Sequence, residues 1–255
     1  PGGQVKPVLR DGVFYSAGAT VLGADDKAGI AELLEALEVV REQKVPHGPI
    51  EVVIMIAEEI GLVGAKHFDY NLVTARRGYA LDTEGVDQMV LRAPGANHLQ
   101  IDIEGLASHA GMAPELGVSA IQTAALAISQ MRLGRIDHET TANIGRIEGG
   151  VARNIVPQHL SIVGEARSHD PQKLQEQTEH MFACFEAAAE QMAREINGAL
   201  VRPQISAKVH SDFPSMSVAE DAPVVTLARA AAATVGHDLN VRLGGGGSDA
   251  NIFNA

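Results

Sequence analysis

Cysteine is almost missing from this chain of 255 residues: Cys184 stands alone, which rules out an internal disulfide framework. No Cys-x-x-Cys pair occurs either, so a transition metal would have to be held by carboxylates and histidines. Long apolar runs are equally scarce. None approaches the roughly 20 residues of a membrane-spanning helix. No basic-then-apolar leader opens the chain at Pro1, so the expected setting is a reducing cytoplasm with no membrane partner. Basic residues are in deficit too. The 20 Lys and Arg face 32 Asp and Glu, and a net charge of -12 disfavours a nucleic-acid partner while it suits cations. Low-complexity tracts and internal repeats are absent, apart from the glycines at 244–247.

The chain does have enough apolar material, at 45%, for one large domain or two modest ones. Asp11-Gly12 between Val8-Leu9 and Val13-Phe14-Tyr15 reads as a hairpin turn. Ile30, Leu33, Leu34, Leu37 and Val40 recur at helical spacing, and the pattern stops before Pro46. The continuous apolar run 52–57 and the shorter segment 78–81 predict strands buried on both faces, as in a parallel sheet covered by helices. From about residue 95 the rhythm changes. Leu99, Ile101 and Ile103 alternate with Gln100, Asp102 and Glu104, which predicts a strand with one wet face. A helix near 117–131, strands near 141–148 and 159–167, a helix behind Asp170-Pro171 and a strand near 201–210 complete a β-α-β-β-α-β, ferredoxin-like unit. The expected fold is therefore α/β: a mostly parallel-sheet domain with helices on both faces, formed by 1–94 and 211–255, with residues 95–210 inserted as a second domain.

The apolar run empties into Glu58-Glu59, and the segment 78–81 runs into Asp82. Parallel sheets place their ligands beyond the carboxyl ends of the strands, and paired acids at a strand end call for a cation to offset their repulsion. Adjacent glutamates can divide the labour, one ligating a metal and the other taking a proton from water. Asp25, in Gly23-Ala24-Asp25-Asp26-Lys27, sits at a helix start and suits either an N-cap or a carboxylate shared by two metals. His109, in Ser108-His109-Ala110-Gly111, reads on its own as a loop histidine; Asn154 reads as a turn residue and Arg167 as half of a surface ion pair. The glycine run before Ser248-Asp249 is either a flexible connection or a nest of backbone amides for an anion, and its place ahead of a predicted helix favours the nest.

The segments Gly23 to Ala31, Ala57 to Ala65 and Gly244 to Asn251 resemble the dimetal exopeptidase family of peptidase T, carboxypeptidase G and aminoacylase, most closely its peptidase T branch. The resemblance runs over essentially the whole chain. It implies a zinc exopeptidase that removes the N-terminal residue of short peptides, with two zinc ions (or cobalt or manganese). Asp25 would bridge the metals, Glu59 and Asp82 would bind one each, and Glu58 would be the general base. The inserted domain would be lid and homodimerisation module, with His109 reaching the partner's site. Asn154, Arg167 and the Gly246-Gly247-Ser248 turn would contact substrate. The same fold also serves N-acyl amino acid amidohydrolases and carboxypeptidases.

Two motifs of the family are missing from the sequence. A His-x-Asp ahead of Asp25 and a histidine after the glycine run are not found, and His67-Phe68-Asp69 lies on the wrong side of Glu58-Glu59 to replace the first. Each metal site keeps its carboxylates only. The expectation for this polypeptide is thus either the central portion of a working enzyme or a catalytically inactive module that still dimerises.

Overall fold

A computed structural model describes residues 5–18, 20–83 and 85–255. In chain order the elements are β1 (Pro7–Arg10), β2 (Val13–Ser16), α1 (Lys27–Glu42), α2 (Val63–Lys66), β3 (Gln88–Ala93), β4 (Gly95–Glu104) and α3 (Ala120–Gln130). They continue with β5 (Gly134–Arg135), β6 (Thr140–Gly149), β7 (His159–Ser168), α4 (Pro171–Met192), β8 (Arg194–Ile196), β9 (Ala199–Val201) and β10 (Gln204–Phe213). The chain closes with β11 (Met216–Ser217), α5 (Pro223–Thr234), β12 (Asn240–Leu243) and α6 (Asp249–Phe253). No helix among the described residues is long and apolar enough to cross a membrane.

The two sheets that matter meet at Pro94. One is five-stranded and antiparallel, in the order β10-β4-β7-β6-β5. Numbering its four long strands along the chain gives the spatial order 4-1-3-2, with α3 after the first and α4 after the third, which is the ferredoxin-like arrangement the periodicity predicts. Period-two burial makes its core: Leu99, Ile101 and Ile103 of β4 and Leu160, Ile162 and Ala166 of β7 face Ala120, Ala124 and Ala127 of α3 and Met181, Phe185 and Ala188 of α4. Alanines on α3 let that helix lie close to the sheet. The opposite face carries His98, Gln100 and Asp102 and stays wet. The smaller sheet, β11-β3-β12, pairs β12 parallel and β11 antiparallel to β3. Mixed α/β architecture, with an antiparallel unit set into the chain, is therefore as expected.

The hairpin forms as read, with Asp11 and Gly12 both at positive φ (50° and 81°), the backbone of a type I′ turn. The segments 51–57 and 78–81 do not behave as predicted. Neither belongs to a strand ladder among the described residues, and Ile54 and Ile56 are 55% and 77% exposed. An apolar run marks a segment that benefits from burial, but a parallel strand also needs hydrogen-bonded neighbours and helices over both faces. Residue 51 is tied elsewhere: the Glu51 carboxylate accepts from the Thr74 hydroxyl (2.6 Å) and from the amide of Ala75 (2.8 Å).

Candidate metal centre and peptide-binding face

The N-terminus of α1 and residue 82 form the centre of the site. Asp26, not Asp25, caps α1, its Oδ1 accepting from the Gly29 amide at 3.1 Å. Asp25 is thereby spared the capping role. Carboxylate oxygens of Asp25, Asp26 and Asp82 lie within 4.8 Å of one another, all three exposed, in an arrangement able to hold a cation. Gly29 makes the approach possible. A Cβ there would stand 2.5 Å from the Leu81 carbonyl oxygen and 2.7 Å from the Asp26 carboxylate, so any side chain would push the 81–82 backbone off the helix.

Glu58 and Glu59 occupy a tight turn that leads into α2. The amides of Gly61 and Leu62 donate to the Glu58 carbonyl (3.0 and 2.9 Å), and those of Val63 and Gly64 donate to Ala57 and Ile56 (3.1 Å each). Ala57 and Leu62 take the left-handed conformation, both at φ 57°. Gly64 is required because a side chain would collide with the Ile56 backbone. Burial, then the charges of Asp82, Glu59, Asp249 and Asp25, push the Glu58 carboxyl up to about 7. Asp82, although open to solvent on one side, is raised as well, first by the water its neighbours displace and then by the charges of Asp25, Asp26, Glu59 and Asp249. Burial also raises Asp249, and its Oδ1 is buried with no hydrogen-bond partner among the described residues. Acids that raise one another, with an orphaned carboxylate oxygen among them, are what a divalent cation would relieve, so the residues present fit a metal.

Asp249 opens α6, and that short helix is fixed from three sides. Ser248 and Asn251 form a capping box, with the Ser248 amide donating to Asn251 Oδ1 at 3.0 Å. Asn251 is fully buried, and its Nδ2 donates to the carbonyls of Pro94 (3.2 Å) and Pro214 (2.8 Å), the two points where the chain passes between sheets. Phe253 packs on Phe68 and Tyr70, with ring centroids 6.0 and 5.2 Å away. The glycine run ahead of α6 lies against the five-stranded sheet. Gly247 sits on the Phe213 ring with no room for a Cβ, and a Cβ on Gly246 would be 3.6 Å from Arg167 Nη1. Arg167 Nη2 donates to Glu165 at 2.9 Å, while its Nε is buried without a partner among the described residues. Two amides of the expected nest are already engaged: Gly244 donates to the Arg92 carbonyl and Ser248 to Asn251. The amides of Gly245, Gly246 and Gly247 remain, with Gly246 beside Arg167.

His109 and Asn154 meet at the opposite end of the same sheet. His109 bridges to Ile155, and the Ala110 amide donates to the Asn154 carbonyl at 2.9 Å. His109 Nδ1 accepts from the amides of Gly111 (3.2 Å) and Met112 (3.1 Å), so the ring proton of the neutral form sits on Nε2. His109 and Asn154 adjoin the end of β7 that begins at His159, whereas Arg167 is at its other end; eight residues of strand span about 26 Å. The structure thus brings Asp25 and Asp82 together and Arg167 beside Gly246, and sets His109 with Asn154 apart from both.

Two residues of the site escape the sequence reading, Asp26 as a member of the carboxylate group and Asp249 as the half-buried acid beside it. For Asp26 the signal was adjacency to Asp25. For Asp249 it was the Gly-Gly-Ser-Asp order, in which a helix-starting acid follows a turn.

Residues 92–193 match the peptidase dimerisation domain family, and residues 15–94 match the M42 glutamyl aminopeptidases. The chain is 45% identical to the uncharacterized protein YqjE of Bacillus subtilis over 254 residues, 99% of this chain and 66% of that protein. It is 44% identical to peptidase T of Escherichia coli K12 over 118 residues, 46% of this chain and 29% of the peptidase. The crystal structure of aminopeptidase PepT from Bacillus cereus superposes with a TM-score of 0.85 at 46% identity, over 99% of this chain and 65% of that one. A tripeptidase from Staphylococcus aureus does so with a TM-score of 0.90 at 42% identity, over 98% and 65%. The chain therefore spans about two thirds of the length of the relatives it matches end to end.

Proposed function

Because the chain belongs to the M20 peptidases, on the side of peptidase T, we propose that the protein is a metal-dependent exopeptidase that removes the N-terminal residue from short peptides. One observation carries this reading: Asp25, Asp26 and Asp82 converge where Glu58, Glu59 and Asp249 add their charges and where burial holds the Glu58 carboxyl near 7. In this reading residues 1–94 and 211–255 form the catalytic domain and 95–210 the lid. Asp25 would be shared by two ions, with Glu59 and Asp82 serving one each and Asp26 and Asp249 supporting them; zinc is the expected ion, with cobalt and manganese as alternatives. Metal bound there supplies Lewis acidity to the scissile carbonyl and to the attacking water.

The remaining chemistry belongs to the chain's own groups. Glu58, with a carboxyl near 7, is poised to take a proton from water and return it to the departing amine. Arg167, beside Gly246 and Gly247, offers its guanidinium to a peptide carboxylate, and Ser248 closes that turn. His109 Nε2–H is a donor for the developing oxyanion. Standing a sheet's length from Arg167, it would serve the site of a partner subunit, with Asn154 next to it as a substrate contact. A homodimer through the inserted domain has a surface to form on. From Ile144 to Gly149, β6 has no second neighbour strand among the described residues, and Ile121, Ala125, Ile128 and Ile147 line an apolar groove beside it.

The test is Glu58→Ala. Turnover of a free-amino tripeptide should fall by about 10²- to 10⁴-fold while bound zinc, counted per chain, is unchanged; retained activity would remove Glu58 from the role of base. Preference for an N-acyl amino acid over the tripeptide would move the protein to the amidohydrolases of the same fold.

A further inference from the structure

On the wet face of the five-stranded sheet, one cross-strand row reads His210, His98, Glu165, Asn143 from β10 through β4 and β7 to β6. Direct partners in antiparallel strands project from the same face, with Cβ atoms about 4.5–5.5 Å apart. Three successive members of this row are metal-ligating types. We propose that His98, His210 and Glu165 form a second divalent-metal site, for zinc or another borderline transition ion, separate from the Asp25–Asp82 centre.

The three ligands do not converge within 4.8 Å as the Asp25, Asp26 and Asp82 oxygens do, so an ion here would draw them together by side-chain rotation. The two imidazoles already lie with ring centroids 6.4 Å apart and planes inclined by 50°. Two histidines on one tetrahedral zinc, each at about 2.0–2.1 Å, bring their centroids to about 5 Å. Small side-chain rotations on an open face close that gap. His210 is exposed and His98 and Glu165 are half-buried, so an ion can enter from solvent and keep water in the remaining positions. Glu165 contributes Oε2 to Arg167 at 2.9 Å, which leaves Oε1 for the ion. Two imidazoles with one carboxylate favour zinc, nickel or copper over magnesium or calcium, which prefer all-oxygen shells.

The row also lies next to the pair the peptide-binding face is built on. Arg167 is two residues along β7 from Glu165 on the same face, and Phe213, which packs under Gly247, closes the adjoining row through its pairing with Ala96. An ion on this row would hold Glu165 from one side while Arg167 holds it from the other. It would therefore fix the carboxylate that orients the guanidinium.

The experiment uses the full chain carrying Asp25→Ala and Asp82→Ala, which silences the acidic centre and makes the result independent of the proposed activity. Zinc alone is the probe, in equilibrium dialysis with metal analysis. One equivalent should remain, and His98→Gln or His210→Gln should weaken it at least tenfold, with Glu165→Gln weakening it less. Zero equivalents, or one equivalent indifferent to both histidine substitutions, would overturn the site. Should the silenced chain fold poorly, sub-stoichiometric cobalt added to the unaltered chain gives a second reading by NMR. The ring protons of His98 and His210 should shift ahead of those of the other eight histidines, and shifts confined to those eight would equally overturn the proposal.

Discussion

Glu58 concentrates the electrostatics of the acidic group in one side chain. Its carboxyl rises from an ordinary 4.5 to about 7, chiefly through burial and then through Asp82, Glu59, Asp249 and Asp25. Because the folded chain holds this proton more tightly than the unfolded one, the associated stability is fully present below about 4.5 and is lost as pH rises through about 7. Asp82 and Asp249 are raised as well and act with the same sign. Asp137, His169 and His180 have the opposite one: hydrogen bonds from the Glu139 amide and Lys173 lower the Asp137 carboxyl, whose contribution is lost only in acid, whereas burial lowers both imidazoles, which add stability as pH rises toward neutrality. In chelator, the unfolding midpoint of Glu58→Gln should therefore gain on that of the unaltered chain between about pH 5 and about pH 8. Zinc should reverse it by binding the deprotonated acids. A metal-free difference between the two proteins that stays level across the range would contradict the mutual repulsion of these carboxylates. Four of these six acids were legible in the residue order, since apolar runs end at Glu58-Glu59 and Asp82 and a helix starts at Asp25. Asp26 and Asp249 were not, because which of two adjacent acids caps a helix, and which acid a turn delivers, are decided by the packing of α1 and α6.

Elements follow the same division between what is local and what is not. The Asp11-Gly12 hairpin and the alternation over β4 were readable because turn chemistry and period-two burial are properties of a few adjacent residues. The order of β10, β4, β7 and β6 followed from the β-α-β-β-α-β succession. The segments 51–57 and 78–81 failed as strands because a ladder needs partners, which no apolar run can announce by itself. Least legible was α6. It has five residues, yet Asn251 anchors it through three hydrogen bonds that join the Gly-rich turn to Pro94 and Pro214. Asn251→Ala leaves one amide and two carbonyls without those partners and should cost about 2–4 kcal/mol, read as a lower urea midpoint at unchanged slope. Released with α6, Asp249 should leave the acidic group, so the Glu58 carboxyl, followed by NMR titration, should move back toward its ordinary value. An unaltered Glu58 titration in this variant would mean that α6 does not set the electrostatics of the site.

At the scale of the whole molecule, the separation of the groups proposed to meet substrate is the feature that needs an explanation. Arg167 and Gly246 lie at one end of β7, and His109 with Asn154 at the other, about 26 Å away along the strand. Within one rigid sheet no loop closure joins groups placed at its two ends. In a two-fold dimer, however, the far end of one subunit can stand over the near end of the other, because an isologous contact repeats each pairing reciprocally. The open edge of β6 and the apolar groove beside α3 supply the kind of surface on which such a contact forms. This reading makes a mixing experiment decisive. Glu58→Ala and His109→Ala subunits, each inactive as homodimers, are combined after reversible dissociation. Half of the dimers are then mixed. In each mixed dimer one site joins an intact Glu58 to the intact His109 of the other subunit, so activity should recover to about a quarter of the unmutated level. If His109 acted on its own subunit's substrate, every site in the mixture would lack one of the two groups, and no activity would return at any ratio.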